Sequence, residues 1–400
     1  MIANFFKINN IAMILLFSLV LYPSNLRSII IFISGILLLV NFFKENSLIN
    51  IKMLNKGAFY IIIICTLIYS TNKNYAFFQL QTVSSLVVFP IIFSLISLKS
   101  RKEVVLHLNK FLIIYVISIF LFNVIPFIWF YLTNYSFSEL LHHYKYIIIV
   151  DIGKYTIHPI YMSMHCCISI LFSLYLFKRF KSNLIKILLV LIKIVLFLFL
   201  LIYARKGPIL SFLIVLIIWI FFEHKKYIKY TLLFSILFVV LLAVIPSTRE
   251  RFLELTKIET AKNENSSSSD IRYSIYNNTF NLIKNAPFFG YGIGDYNDEL
   301  KKSLKENTPF LLKKTYNSHN QYMSFVLIGG FVLLFSFFYF YGKFFISSFL
   351  NNNVLAIVVF LYFSILMLFE NILEREHGVI FFSLFVNFFG LQNYMVREKK

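Results

Sequence analysis

The sequence predicts an all-α polytopic membrane protein with about twelve transmembrane helices and one long polar loop carrying short surface helices. Three observations lead there. Apolar residues make up 59% of the 400-residue chain and charged residues only 14%, where soluble domains carry about 25% charge. The mean hydropathy is +0.77. The apolar residues also gather in runs close to the ~20 residues that cross ~30 Å of hydrocarbon, with short polar joints between them. A length of 400 would suit two or three soluble domains, but this pattern makes residues 1–400 a single integral membrane domain.

The runs lie at 8–22, 27–43, 57–72, 79–98, 108–132, 157–177, 184–203, 208–222, 230–246, 320–341, 345–368 and 377–394. Those at 57–72 and 208–222 are short for a crossing. The first run is followed by no small-residue cleavage site, and Lys7 is the only charge before it, so it reads as a span and not as a removed signal peptide. Cys65, Cys166 and Cys167 all sit inside apolar runs, two of them adjacent, which excludes a disulfide framework or a spaced zinc site.

The formal charge of +20 raises the question of nucleic acid. With the N-terminus inside, 19 Lys and Arg fall at inner span ends, from Lys7 and Lys44 to Arg397 and Lys400. The short opposite loops hold 7: Arg27, Lys73, Lys145, Lys154, Arg205, Lys206 and Arg375. That asymmetry is the positive-inside signal and puts both termini in the cytoplasm. The excess charge is therefore topological, and no nucleic-acid partner is expected.

The same orientation places residues 247–318, the long polar insert, outside, where 11 basic and 9 acidic residues nearly balance. Residues 263–270 are Ser/Asn-rich. Residues 271–286 space Ile271, Ile275, Phe280 and Ile283 as one helical face, which predicts a short helix on the membrane surface. Pro287 ends it, and Gly290, Gly292 and Gly294 then alternate in a turn that calls for unusual dihedrals. A second surface helix is predicted from Tyr296 to Lys305.

Ionisable residues at the outer ends of spans are the informative ones, because charge at membrane depth costs free energy and tends to line a site. Arg205 and Lys206 interrupt the apolar stretch from Ile187 to Phe222. They read either as a tight turn with snorkelling cations or as an outward cation pair aimed at phosphate; their place on the side otherwise poor in basic residues favours the second. His319, at the mouth of the tenth span, is either a polar cap or a general base, since an ordinary imidazole titrates near neutrality. Arg272 starts the first surface helix, as a solvated face residue or a ligand. His158 precedes Pro159, a normal helix start. Glu370, Glu374, Arg375 and Glu376 crowd the joint before the last span, as interface anchors, partners for the arginines, or carboxylates presented on one face.

Competing signatures are missing: there is no P-loop, dinucleotide motif, HExxH or Cys/His metal spacing, and Asp295 with Asp298 is too weak a pair for a metal site. Neither a cofactor nor a metal is expected. A polysaccharide or lipid transporter remains the alternative from another class, though the two halves lack the likeness of inverted repeats and the midplanes are nearly free of charge.

Taken in order, YARKGPILSF at Arg205, the insert with Arg272 before NAPFFGYGIGDY, and HNQYMSFVLIGGFVLLF at His319 resemble the O-antigen ligase and O-antigen polymerase superfamily. HPIYMS at His158 and ENILEREHGVIFF at Glu370 look similar to members too, so the resemblance covers about residues 150–395. It implies a metal-independent glycosyltransferase of the C-type architecture in the bacterial inner membrane, with its active site facing the periplasm. The donor would be a glycan on undecaprenyl diphosphate. A ligase moves that glycan to lipid A-core or another acceptor in lipopolysaccharide biosynthesis; a polymerase moves it to the next lipid-linked repeat. Arg205 and Arg272 match the family's essential arginines and His319 its essential histidine. Substrate-binding roles are expected, with the resemblance, for Lys206, Asn320, Gly292, Gly294, Tyr203, His158, Glu370 and Arg375.

Overall fold

A computed structural model describes residues 7–397 apart from 223–227, 230, 231, 234, 235, 237–239, 241–243, 245, 264 and 315. The ninth expected span, 230–246, therefore lies largely outside the described residues. Among the described residues there is no strand. Among those residues, six helices are long and apolar enough to cross a membrane: Ser24–Lys44, Lys73–Ser94, Leu108–Thr133, Pro159–Arg179, Asn183–Tyr203 and Gln321–Leu350. Ile8–Phe17, Lys206–Phe222 and Val354–Leu366 are shorter apolar helices, and Glu376–Arg397 closes the described chain.

These helices divide into centre and rim. In the most apolar stretch of Pro159–Arg179, 83% of residues are buried inside the protein, against 22% for Ser24–Lys44. The central helix packs through Phe172 against Tyr115 and Phe385, and the three rings meet edge-to-face, with Phe172 on Phe385 at 5.3 Å. The rim helix instead turns Ile29, Phe32, Ile33, Ile36, Val40 and Phe43 outward. So many exposed large apolar side chains on one helix are what a lipid-facing surface requires. Cys166 and Cys167 are buried in the core and Cys65 is exposed.

Several boundaries differ from the sequence expectation, each for a local reason. The 57–72 run forms a helix only over Ala58–Cys65. Beyond it Thr66 and Ser70 turn their hydroxyls to the backbone of Ile293 and Gly294. The expected joint between 341 and 345 lies at residues 351–353: Asn352 takes the left-handed conformation at φ 50° and the Asn353 side chain caps Val354–Leu366, whereas nothing at Gly342 stops the helix. Phe137–Val150 is a helix without a counterpart among the runs; its signal is the capping box of Ser136 and Glu139. Arg27 is not a loop residue but sits fully buried near the start of Ser24–Lys44, with Nη1 2.9 Å from Nδ1 of His377.

The two surface helices appear at Ser268–Lys284 and Tyr296–Asn307. They share a small core of Ile275, Leu300, Leu304 and Leu311, with Ile271 and Leu282 packed on it. Phe280 lies outside that face and is half exposed. Between the helices, the glycine turn docks on a break in Gln321–Leu350 at Gly329 and Gly330. A helix broken at this depth leaves carbonyls without intrahelical donors. Tyr291 and Gly292 donate their N–H groups to Leu327 and Ile328 at 2.7 and 2.9 Å and so satisfy them. Gly290 (φ 72°) is required because a Cβ there would meet the Leu327 carbonyl at 2.6 Å.

Candidate active site

The site is assembled by four joints and one surface helix. Asn183–Tyr203 ends on Ala204, whose φ of 46° is unusual for a residue with a Cβ, and Lys206–Phe222 starts two residues later. This tight reversal presents Arg205 beside a helix N-terminus, where the helix dipole adds positive potential. His158 accepts from the backbone N–H of Ile160 and caps the central helix. His319 precedes Gln321–Leu350, and Glu370 follows Val354–Leu366.

The surface helix ties these joints together. Arg272 donates from Nη1 to the Phe369 carbonyl at 3.1 Å and from Nη2 to Oε2 of Glu370 at 3.2 Å. One turn on, the Tyr276 hydroxyl lies 3.0 Å from the His319 carbonyl and 2.9 Å from that of Leu368, so one phenol links the two joints. Burial raises the Tyr276 hydroxyl to about 12, which keeps it a donor at neutral pH. Ser269, on the same helix, lies 2.7 Å from Nζ of Lys206. Nδ1 of His319 stands 3.5 Å from Oε2 of Glu370, so one carboxylate oxygen faces both Arg272 and His319. Burial pushes the Glu370 carboxyl up, but the neighbouring His319, Arg272 and His158 outweigh it, leaving Glu370 below the usual carboxylate range.

Two cavities meet at Glu370. The larger, about 1280 Å³, has a polar head with His158, Lys314, His319, Glu370, Arg375 and His377, and an apolar wall running down Ser24–Lys44 and Lys73–Ser94 past Ile31, Ile36, Phe78, Val88 and Ile92 to Leu39 and Leu95. The smaller, about 220 Å³, is lined by Arg205, Lys206, Arg272, Ser269 and Tyr273, with Glu370 on its wall. Among the residues expected from sequence, Arg205, Lys206, Arg272, His158, His319, Glu370 and Arg375 thus line one of the two.

Lys206 is already engaged, and the remaining expected residues, Asn320, Tyr203, Gly292 and Gly294, sit elsewhere. Lys206 bonds Glu254 at 2.5 Å as well as Ser269. Asn320 caps Gln321–Leu350 through its side chain, accepting from Tyr322 and Met323. Tyr203 is fully buried, with its hydroxyl donating to Asn123 at 2.8 Å. Gly292 and Gly294 pack against the 66–72 turn, where a Cβ on Gly294 would meet the Asn72 carbonyl at 2.5 Å. Tyr276, Lys314 and His377 belong to the site without a separate signal in the sequence, although Tyr276 follows Arg272 at the i,i+4 spacing that shares a helix face.

This arrangement can hold an anion at two guanidinium groups, lay an apolar chain along a lipid-facing wall, and offer an imidazole oriented by a carboxylate. No curated protein matches the chain. A family model described as O-antigen ligase matches residues 191–338, a segment holding Arg205, Arg272 and His319 but not His158, Glu370 or Arg375. That match supports membership of the chain in the O-antigen ligase superfamily.

Proposed function

We propose that the protein is an O-antigen ligase-type glycosyltransferase. It takes a glycan from undecaprenyl diphosphate at the periplasmic face of a bacterial inner membrane and joins it to a hydroxyl of lipid A-core or a similar acceptor. The observation that carries this reading is the meeting of Arg272 and His319 at Glu370, where the cation-lined cavity joins the apolar-walled one. Guanidinium forks match phosphate oxygens bidentately, and the adjoining helix N-terminus adds to the field. The apolar wall, open toward lipid, suits a long isoprenoid.

In the reaction, the acceptor oxygen forms a bond to the anomeric carbon as the bond from that carbon to the diphosphate oxygen breaks. The bonding pair leaves with the diphosphate, and Arg205 and Arg272 stabilise the developing charge. The acceptor proton passes to Nε2 of His319, because a sugar hydroxyl is too weak a nucleophile at neutral pH without a base. A single displacement inverts the anomeric configuration, and the scheme assigns no step to a metal. Lys206, Arg375 and His158 contribute to the charge and shape of the pocket around the lipid-linked substrates.

The accompanying topology has about twelve spans, both termini in the cytoplasm and residues 247–318 in the periplasm. A reporter active only in the periplasm should work when fused near Ser268 and fail after Lys400; the reverse would remove the outward site. Deleting the gene tests the function: surface glycan should be lost from its anchor while lipid-linked polymer accumulates. Reduction of the glycan to single repeats would instead identify a polymerase.

A further inference from the structure

Glu370 is 6% exposed, and a carboxylate this buried is costly unless its partners compensate. It faces two, and both approach the same oxygen: Nη2 of Arg272 at 3.2 Å and Nδ1 of His319 at 3.5 Å. So little exposure leaves the carboxylate almost no surface to offer a sugar. The geometry points instead to Glu370 as the positioning residue of His319, holding the proton on Nδ1 so that Nε2 keeps its lone pair for the acceptor. This rests on the reading of His319 as the base.

Which ring nitrogen carries the proton in a neutral imidazole is set by the hydrogen bond that the other makes. Here Nδ1 is buried against a carboxylate held in its ionised form, an acceptor with no proton to give. A separation of 3.5 Å is longer than a settled hydrogen bond and lies within ion-pair reach. The frame around the pair is fixed. His319 has a left-handed backbone (φ 50°), its N–H donates to the Asn317 side chain at 3.2 Å, and Tyr276 ties its carbonyl to the joint carrying Glu370. Arg272 holds that joint at the Phe369 carbonyl and at Glu370 itself. His158 faces both the carboxylate and the imidazole from the other side of the site, and Arg205 and Arg375 in turn bear on His158. A single carboxylate thereby registers the base against the arginine that grips the leaving group.

Glu370→Gln keeps the size of the side chain and removes its charge. It should lower kcat by roughly 10²-fold, the lower end of what general acid–base catalysis contributes. The KM for donor should stay level or fall, because Arg272 loses a competitor for the diphosphate. Glu370→Asp should recover part of the loss, and Glu370→Gln placed in a His319→Ala background should add no further loss in kcat. Unchanged kcat in Glu370→Gln, or a loss confined to donor KM, would overturn the assignment. Should Glu370→Gln fail to accumulate, the wild-type enzyme decides through nitrogen-15 spectra of labelled histidine, with the His319 signal identified by difference against His319→Gln. The assignment requires the Nδ1–H form, and the Nε2–H form contradicts it. Full activity in His319→Ala would defeat the transferase mechanism itself, whereas an inactive His319→Ala beside a fully active Glu370→Gln would defeat only this inference.

Discussion

The two cavities that share Glu370 differ in almost every physical respect. The smaller encloses about 220 Å³ beside Arg205, Lys206 and Arg272, whereas the larger, about 1280 Å³, extends from a polar head down an apolar wall formed by Ser24–Lys44 and Lys73–Ser94. Charge concentrated in a small volume suits a compact anion and serves a long hydrocarbon poorly; an apolar groove does the reverse. On the proposed function a lipid-linked diphosphate would be handled in parts, with its charge and its chain held by different walls and the reacting carbon near the carboxylate that both cavities share. Substitutions should separate by cavity and by kinetic parameter.

The largest effect is expected at the boundary. His319→Ala removes the proposed base and should cut turnover by roughly 10²–10⁴-fold. Binding of undecaprenyl diphosphate glycan, measured with purified protein, should stay near normal, because the diphosphate is assigned to the arginines. Loss of binding in this variant would merge the two roles that the separate cavities keep apart.

Next come the guanidinium groups of the smaller cavity. Arg205→Lys and Arg272→Lys keep the charge and lose the fork, and a charge-assisted hydrogen bond worth about 1.5–3 kcal/mol predicts a roughly 10- to 150-fold loss in kcat/KM. Full activity in both, at normal protein level, would reduce them to point charges or anchors.

The apolar wall should respond to chain length. Ile36 lines the larger cavity and is 43% exposed, so Ile36→Trp narrows the groove with little effect on folding. Displacing one or two methylenes, at about 0.8 kcal/mol each, predicts a roughly 4- to 15-fold higher KM for a long-chain donor. A donor with a short prenyl chain should show no change. Equal effects on both donors would mean that the chain lies elsewhere.

The smallest effect is expected at Lys206. Its ammonium pairs with the partly exposed Glu254, and such pairs contribute at most about 1 kcal/mol. Lys206→Met should alter donor KM by less than roughly fivefold. A loss as large as that of Arg272→Lys would show that Lys206 leaves Glu254 to grip the diphosphate.

Much of this site was legible because lipid penalises charge: Arg205, His319, Glu370 and Arg375 stand out at the ends of apolar runs, and the fold brings all four, with Arg272 of the polar insert, to the two cavities. What stayed hidden depends on contacts between distant segments. The glycine turn looks like a ligand loop in sequence, yet its N–H groups serve the carbonyls of a helix broken at Gly329 and Gly330, more than thirty residues on. Tyr276 looks like one tyrosine among 25, and its value comes from two carbonyls contributed by segments 43 and 92 residues away. Arg27 reads as a loop cation until the last helix buries it. The long apolar helices followed from apolar runs, whereas Phe137–Val150 and many boundaries depended on single caps such as Ser136 and Asn353 that hydropathy does not weigh.

Whether His319 takes the acceptor proton is decided by the turnover of purified His319→Gln. Glutamine retains hydrogen bonding to an acceptor but has no basic nitrogen at neutral pH. Proton transfer to His319 predicts that the glutamine enzyme falls into the same roughly 10²–10⁴-fold deficit as alanine, with donor still bound. Near-native transfer by His319→Gln would contradict a base at this position and leave the imidazole only a positioning role.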